Sequence, residues 1–187
     1  EQNPRVDGLG KSLTCRLTAL TLDGVATRRP TGRIRDEISP RHLPLNRNLT
    51  TMNWEDVCDK MSSEGFNSLD EPAQLWIHVR GLIDAVNNGG LVSYFYNSWA
   101  DDYEDMIAAL AELEAFEVLE LVETCGGFFG DEVPDDINER NAIINSWKQG
   151  SSESKFMDTV DEQLYPLLDE LEKVTLREYL REHDLDP

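Results

Sequence analysis

From Asp70 onward the apolar side chains fall into helical stripes. Leu75, Trp76, Val79, Leu82, Ile83 and Val86 recur at i, i+1, i+4, i+7, i+8 and i+11, which is one face of a helix. Asp70 is placed to cap it and Pro72 suits its first turn. Asn87, Asn88, Gly89 and Gly90 stop it, because Asn and Gly tolerate the left-handed backbone that closes helices. A second helical stretch begins at once with Leu91, Tyr94 and Phe95. After Asn97 and Ser98, read as a cap pair, it continues through Tyr103, Met106, Ile107, Leu110 and Leu113. Val118, Leu119, Val122 and Cys125 form a third stripe, ended by Gly126 and Gly127.

Beyond these glycines the pattern is interrupted. Phe128 to Pro134 reads as an ordered loop, with Phe128 and Phe129 too apolar for water and Gly130 and Pro134 opposed to regular structure. Asp135 or Asp136 then caps a helix bearing Ile137, Ile143, Ile144 and Trp147, with Glu139 placed to complete a capping box if Asp136 is the cap. Gly150 to Ser154 is a short polar linker. The set Phe156, Val160, Leu164, Leu167, Leu168 and Leu171 is helical but crosses Pro166, which should kink or divide it. Leu176, Tyr179 and Leu180 carry a final short helix. With no alternating strand pattern and no internal repeat, the expected class is all-α, a compact single-domain bundle of about six to eight helices.

The first 51 residues mix Gly, Pro, Thr and Arg without a sustained period, and read as a poorly ordered or non-native extension ahead of a domain over 52–187. Charge sharpens that boundary. The whole chain of 187 residues has 37 acidic and 17 basic residues, a net of −20. Residues 1–51 carry a net of +4, and residues 52–187 hold 8 basic and 32 acidic residues, a net of −24. Such a surface repels nucleic acid and anionic lipid and attracts basic protein patches, so direct nucleic-acid binding is not expected. No apolar run is long enough to span a membrane and no secretory leader pattern stands at the start. Cys15, Cys58 and Cys125 are odd in number and widely spaced, which points to a reducing, cytoplasmic setting without disulfides or a zinc knuckle.

Searches for catalytic chemistry return little. Gly8, Gly10, Lys11 and Ser12 resemble the end of a phosphate-binding loop, but Arg5 stands where that motif needs its first Gly. The Asn48 sequon has no secretory context. His42, His78 and His183 lack partners at metal-ligand spacing. A calcium loop near Asp131, Asp135 and Glu139 fails at Asp136, Val133 and Ile137, so no metal or other cofactor is expected. What stands out is a run of carboxylates, Asp101, Asp102, Glu104, Asp105, Glu112, Glu114, Glu117, Glu120 and Glu123, in a stretch with no Lys or Arg. Like-charge neighbours on a helix cost a few tenths of a kcal/mol per pair, roughly, which scattered lysines would have relieved. Spaced carboxylates on rigid helices imitate duplex phosphates and fit the basic groove of a nucleic-acid-binding protein.

Several motifs carry a resemblance. The segment Asn87, Asn88, Gly89, Gly90, followed by Tyr94, Phe95, Asn97 and Ser98, the later Phe129, Gly130 and Pro134, and a terminal Asp161 to Tyr165 segment resemble the bacterial domain family typified by DNA mimic protein 19. The likeness runs over residues 54 to 182. It implies an all-helical fold, a homodimer and, for at least one member, an acidic mimic of DNA that sequesters a transcription factor. The expected role is thus a non-enzymatic binding module for a basic DNA-binding protein. A second reading is an immunity-type inhibitor of a basic nuclease toxin. A third is an enzyme with a polar pocket lined by Asn87, Asn88, Tyr94, Asn97 and Ser98.

Overall fold

The structure, a computed structural model, describes residues 51–187. The extension expected over 1–51 therefore lies almost wholly outside the described residues. Eight α-helices make up the described part, so the domain is all-α as the periodicity predicts. The one exception is a pair of two-residue strands, β1 (Met52–Asn53) and β2 (Leu185–Asp186), which run parallel.

The first helix, α1 (Trp54–Glu64), has only two buried residues, Val57 and Met61, too short a stripe to be seen from periodicity alone. Its start is fixed by a capping box: the Asp56 amide donates to Asn53 Oδ1 at 3.0 Å and the Asn53 amide to Asp56 Oδ2 at 3.1 Å. Trp54 packs on Trp76 with ring centroids 5.1 Å apart, tying α1 to the next helix.

That helix, α2 (Glu71–Gly89), is the centre of the bundle. The Ala73 amide donates to Asp70 Oδ1, so Asp70 is the cap that was expected. Ten of its residues are buried, and α3, α4, α7 and α8 pack around it. A mid-helix glycine costs roughly 1 kcal/mol against Ala, but the Trp99 ring lies on Gly81. A Cβ there would sit 2.3 Å from the ring. Asn87, Asn88 and Gly89 remain helical, and Gly90 alone makes the stop, at φ 76.

The second helical stretch divides into α3 (Leu91–Tyr96) and α4 (Tyr103–Glu112), with a 3-10 turn at Ser98–Ala100 between them. The expected Asn97 and Ser98 cap pair does not form. The Asn97 amide group donates back to the Ser93 carbonyl at 2.7 Å, and α4 starts at Asp102 without a side-chain cap. Next come α5 (Phe116–Gly126), the 3-10 turn Gly127–Phe129, and α6 (Ile137–Ser146). Asp136 caps α6, its Oδ1 accepting from the amides of Asn138 and Glu139. The isoleucines expected to bury α6 are only half-buried, and its one fully buried residue is Arg140.

The last long helix, α7 (Ser152–Glu170), is continuous across Pro166, so the expected division does not occur there. Both Pro166 and Glu162, whose carbonyl loses its helical donor, face solvent, so water replaces the missing bond. The irregularity falls later, as a π-helical turn at Leu171–Thr175 before α8 (Leu176–Glu182).

Candidate functional site

On α4 and α5 the inward positions are taken by Tyr103, Met106, Ala109, Leu110, Val118, Val122 and Cys125. The carboxylates between them point outward by default. Glu104, Asp105, Glu112, Glu114, Glu117, Glu120 and Glu123 are all exposed. Between Arg80 and Arg140 the chain holds 15 carboxylates and no Lys or Arg. Arg80 itself bonds Asp84 and Glu172, and Arg140 is buried, so the acidic field keeps no cation of its own along this stretch.

The expected acidic residues do not lie in one place. Asp105 and Glu112 line a groove of about 170 Å³ between α2 and α4, together with Glu71 and His78. Asp102 adjoins it: burial raises its carboxyl, against the favourable charge of His78. Burial in turn lowers the His78 pKa from its usual 6.5, against Asp102 and Asp105. The Tyr179 hydroxyl, from α8, donates to Glu112 at 2.5 Å, and the Tyr179 phenol is pushed up by burial and by that carboxylate. Glu104 and Glu123 flank Tyr103, whose phenol is also pushed up, chiefly by burial. Glu114 and Glu117 border a second groove, of about 290 Å³, with Glu170 of α7.

Asp101 has another task. Its Oδ1 accepts from Arg140 Nη2 at 2.5 Å. The remaining donors of the same guanidinium reach four backbone carbonyls: Nε to Phe95 at 3.0 Å, Nη1 to Pro134 at 2.6 Å and Asp135 at 2.8 Å, and Nη2 to Asn97 at 3.0 Å. All five N–H groups of a buried arginine are thus satisfied. Arg140 clamps the end of α3, the loop before α6 and the start of the acidic stretch. The sequence reading passed over it. A signal was present, since Arg140 is the one basic residue between Arg80 and Lys148 and lies among apolar α6 positions.

Several of the signature residues are consumed by similar internal contacts. Leu91, the first residue of α3, donates its amide to Asp161 Oδ1 at 2.7 Å. A Cβ on Gly90 would lie 2.1 Å from the other Asp161 oxygen. Gly90 is therefore required twice, by its φ and by the carboxylate pressed against it. The Tyr165 hydroxyl faces the Val86 carbonyl at 3.5 Å, so the Asp161 to Tyr165 segment closes over the α2–α3 turn. Phe95 and Phe129 stack at 4.9 Å, Phe129 packs on Trp147, and the Pro134 carbonyl belongs to the Arg140 clamp. Gly130, at φ 113, turns the chain away after Phe129.

Asn87, Asn88, Tyr94, Asn97 and Ser98 do not converge on a pocket. Asn88 donates to its own helix at Asp84, Asn97 to Ser93, and Ser98 and Asn87 are exposed. Tyr94 is fully buried, its hydroxyl without a partner among the described residues, and burial pushes its phenol up. Among the described residues no group of three or more His, Cys, Asp or Glu is arranged to hold a metal ion, and no helix is long and apolar enough to cross a membrane.

The family model described as DMP19-like protein matches residues 67–183. The chain belongs to the DMP19-like protein family. That match takes in α2 through α8 with the Gly90–Asp161 contact and the Arg140 clamp, and leaves out α1 and both strands. It is thus shorter at its start than the likeness read from the motifs. No curated protein and no solved structure matches the chain.

Proposed function

We propose that this member of the DMP19-like family is an acidic protein-binding module, which occupies the DNA-binding groove of a basic protein such as a transcription factor. The observation that carries the reading is the long acidic stretch from α4 to the loop before α6. Its carboxylates are exposed on α4, α5 and that loop, and the basic residues that bound it in the sequence, Arg80 and Arg140, are spent on internal bonds. A carboxylate field of this kind raises encounter rates with a cationic groove and repels DNA. The partner's own DNA-binding cations are then the countercharge that the stretch lacks.

The test uses the full chain as bait in cell lysate, eluted with a salt gradient. A captured basic DNA-binding protein is then titrated with duplex DNA as competitor. Elution at moderate salt and displacement by DNA are expected, and the triple change Glu117→Gln, Glu120→Gln, Glu123→Gln should weaken capture. Retention that ignores both salt and DNA would remove the basis for the reading, because contact with a nucleic-acid groove is dominated by charge.

A further inference from the structure

Phe116 opens α5 and is 60% exposed, the most exposed of the large apolar residues described. It lies on the lip of the groove of about 290 Å³ between the α4–α5 turn and the end of α7. Val118, Leu167 and Leu171 form the apolar floor, and Glu114, Glu117 and Glu170 stand around it. No Lys or Arg lines the groove. Its far wall is the π-helical turn Leu171–Thr175, a wide turn of a type that occurs often at functional sites. Val174 of the same turn is 47% exposed.

We propose that this groove is the anchor point for a basic amphipathic helix of the partner protein. An apolar side chain of that helix enters the floor, while Arg or Lys on its flanks meet the three carboxylates and the face of the Phe116 ring. The argument is one of charge complementarity. An uncharged apolar partner would strip water from three carboxylates and offer nothing in return. A second copy docking the same patch on itself would bring three more carboxylates to face the first three. A cationic partner gains twice, because an exposed aromatic face attracts cations and the neighbouring carboxylates add to that attraction. The inference rests on the reading of the domain as a binder of basic proteins, and adds to it an apolar hot spot that charge alone would not supply.

The probe is a fluorescein-labelled alanine-based helical peptide with two Leu one turn apart and Lys and Arg on either side. One control peptide has Ala for Leu, and another has Glu for the basic residues. Fluorescence anisotropy measures binding to the full chain at low and moderate salt, and amide chemical shifts locate it. Phe116→Ala should weaken binding about tenfold, the loss of one apolar anchor. Glu114→Gln with Glu117→Gln should weaken it and flatten its salt dependence. Phe156→Ala, at another exposed aromatic, should leave it unchanged, and circular dichroism of all variants should match that of the parent chain.

If Phe116→Ala binds like the parent while salt-sensitive binding persists, the anchor is wrong and the acidic module stands. Absence of binding by the basic peptide at low salt would overturn both. Self-association seen by sedimentation and abolished by Phe116→Ala would give the groove to a second copy, and would equally overturn the proposal.

Discussion

The Arg140 clamp offers the sharpest test of how the acidic stretch is held. In Arg140→Met the apolar stem is kept and five hydrogen bonds are lost. Of the acceptors left behind, the Phe95 carbonyl belongs to a fully buried residue, whereas Asn97 and Asp135 lie at the surface, where water can return. One orphaned buried carbonyl costs about 1–3 kcal/mol, and each of the other bonds contributes about 1 kcal/mol at most. These contributions overlap, and a total near 3–5 kcal/mol matches what breaking a buried charge network usually costs. For a domain of this size that is a fall in melting temperature of roughly 10–20 °C. Asp101→Asn removes only the charged acceptor, whose side chain is 42% exposed, and should cost about 1 kcal/mol or less. Arg140→Lys should resemble Arg140→Met, because one ammonium cannot reach acceptors arranged around a planar fork. Urea unfolding followed by far-UV circular dichroism reads all three. If Arg140→Met loses less than about 1 kcal/mol, or if Asp101→Asn costs as much as Arg140→Met, the carbonyl clamp is not what orders this corner.

Other outcomes follow from local geometry. Gly90→Ala should destabilise by about 2 kcal/mol or more, combining a left-handed φ with a clash. The same change should cost less in an Asp161→Ala background, whereas full additivity in urea melts would mean that Asp161 does not press on Gly90. Because burial lowers the His78 pKa below its unfolded value of 6.5, the folded state binds fewer protons, and stability should fall as pH drops below 6.5. His78→Gln should shrink the loss of melting temperature on acidification through that window, and an unchanged loss would refute the assignment. Burial pushes the Cys125 thiol up to about 12, so iodoacetamide at mildly alkaline pH should label Cys58, which is half-buried, before Cys125. Mass mapping that finds Cys125 labelled first in the folded protein would contradict this.

What could be read in the sequence and what could not divide along physical lines. The stripe of α2, its Asp70 cap and the stop at Gly90 were legible because each depends on residues close together in the chain. The short helix α1 was not, since its two buried residues give no period and its start depends on a reciprocal Asn53–Asp56 cap. Pro166 does not divide α7, because the carbonyl it frees faces water, and that exposure depends on how the helix is laid on the bundle. The exposure of the acidic residues was legible from the apolar stripe between them. Their division between an α2–α4 groove, the Tyr103 flank and the Phe116 groove was not, because it depends on how α2, α7 and α8 are laid against α4 and α5. Arg140 was hidden for the same reason: its acceptors lie up to 45 residues away.

These contacts also separate what the family match says from what the proposed partner would read. Gly90, Asp161, Tyr165, Phe95 and Phe129 are bonded or packed within the bundle, so they specify how α2, α3 and α7 meet, and of the five only Tyr165 is exposed. A chain could keep every one of them and change its partner, because fold and binding surface depend on different residues. The carboxylates from Asp101 through α5 and the exposed Phe116 have the opposite character: with the exception of Asp101 and Glu112 their side chains make no hydrogen bond or ion pair among the described residues, and so are free to vary without loss of the fold. Neutralising the exposed carboxylates should therefore abolish partner binding while leaving stability equal or improved, since it relieves repulsion within a domain of net charge −24. Substituting the signature should do the reverse, lowering stability while the surviving folded fraction binds as before. A signature variant that stayed fully folded and lost the partner would place the recognition site at the α2–α3 turn instead.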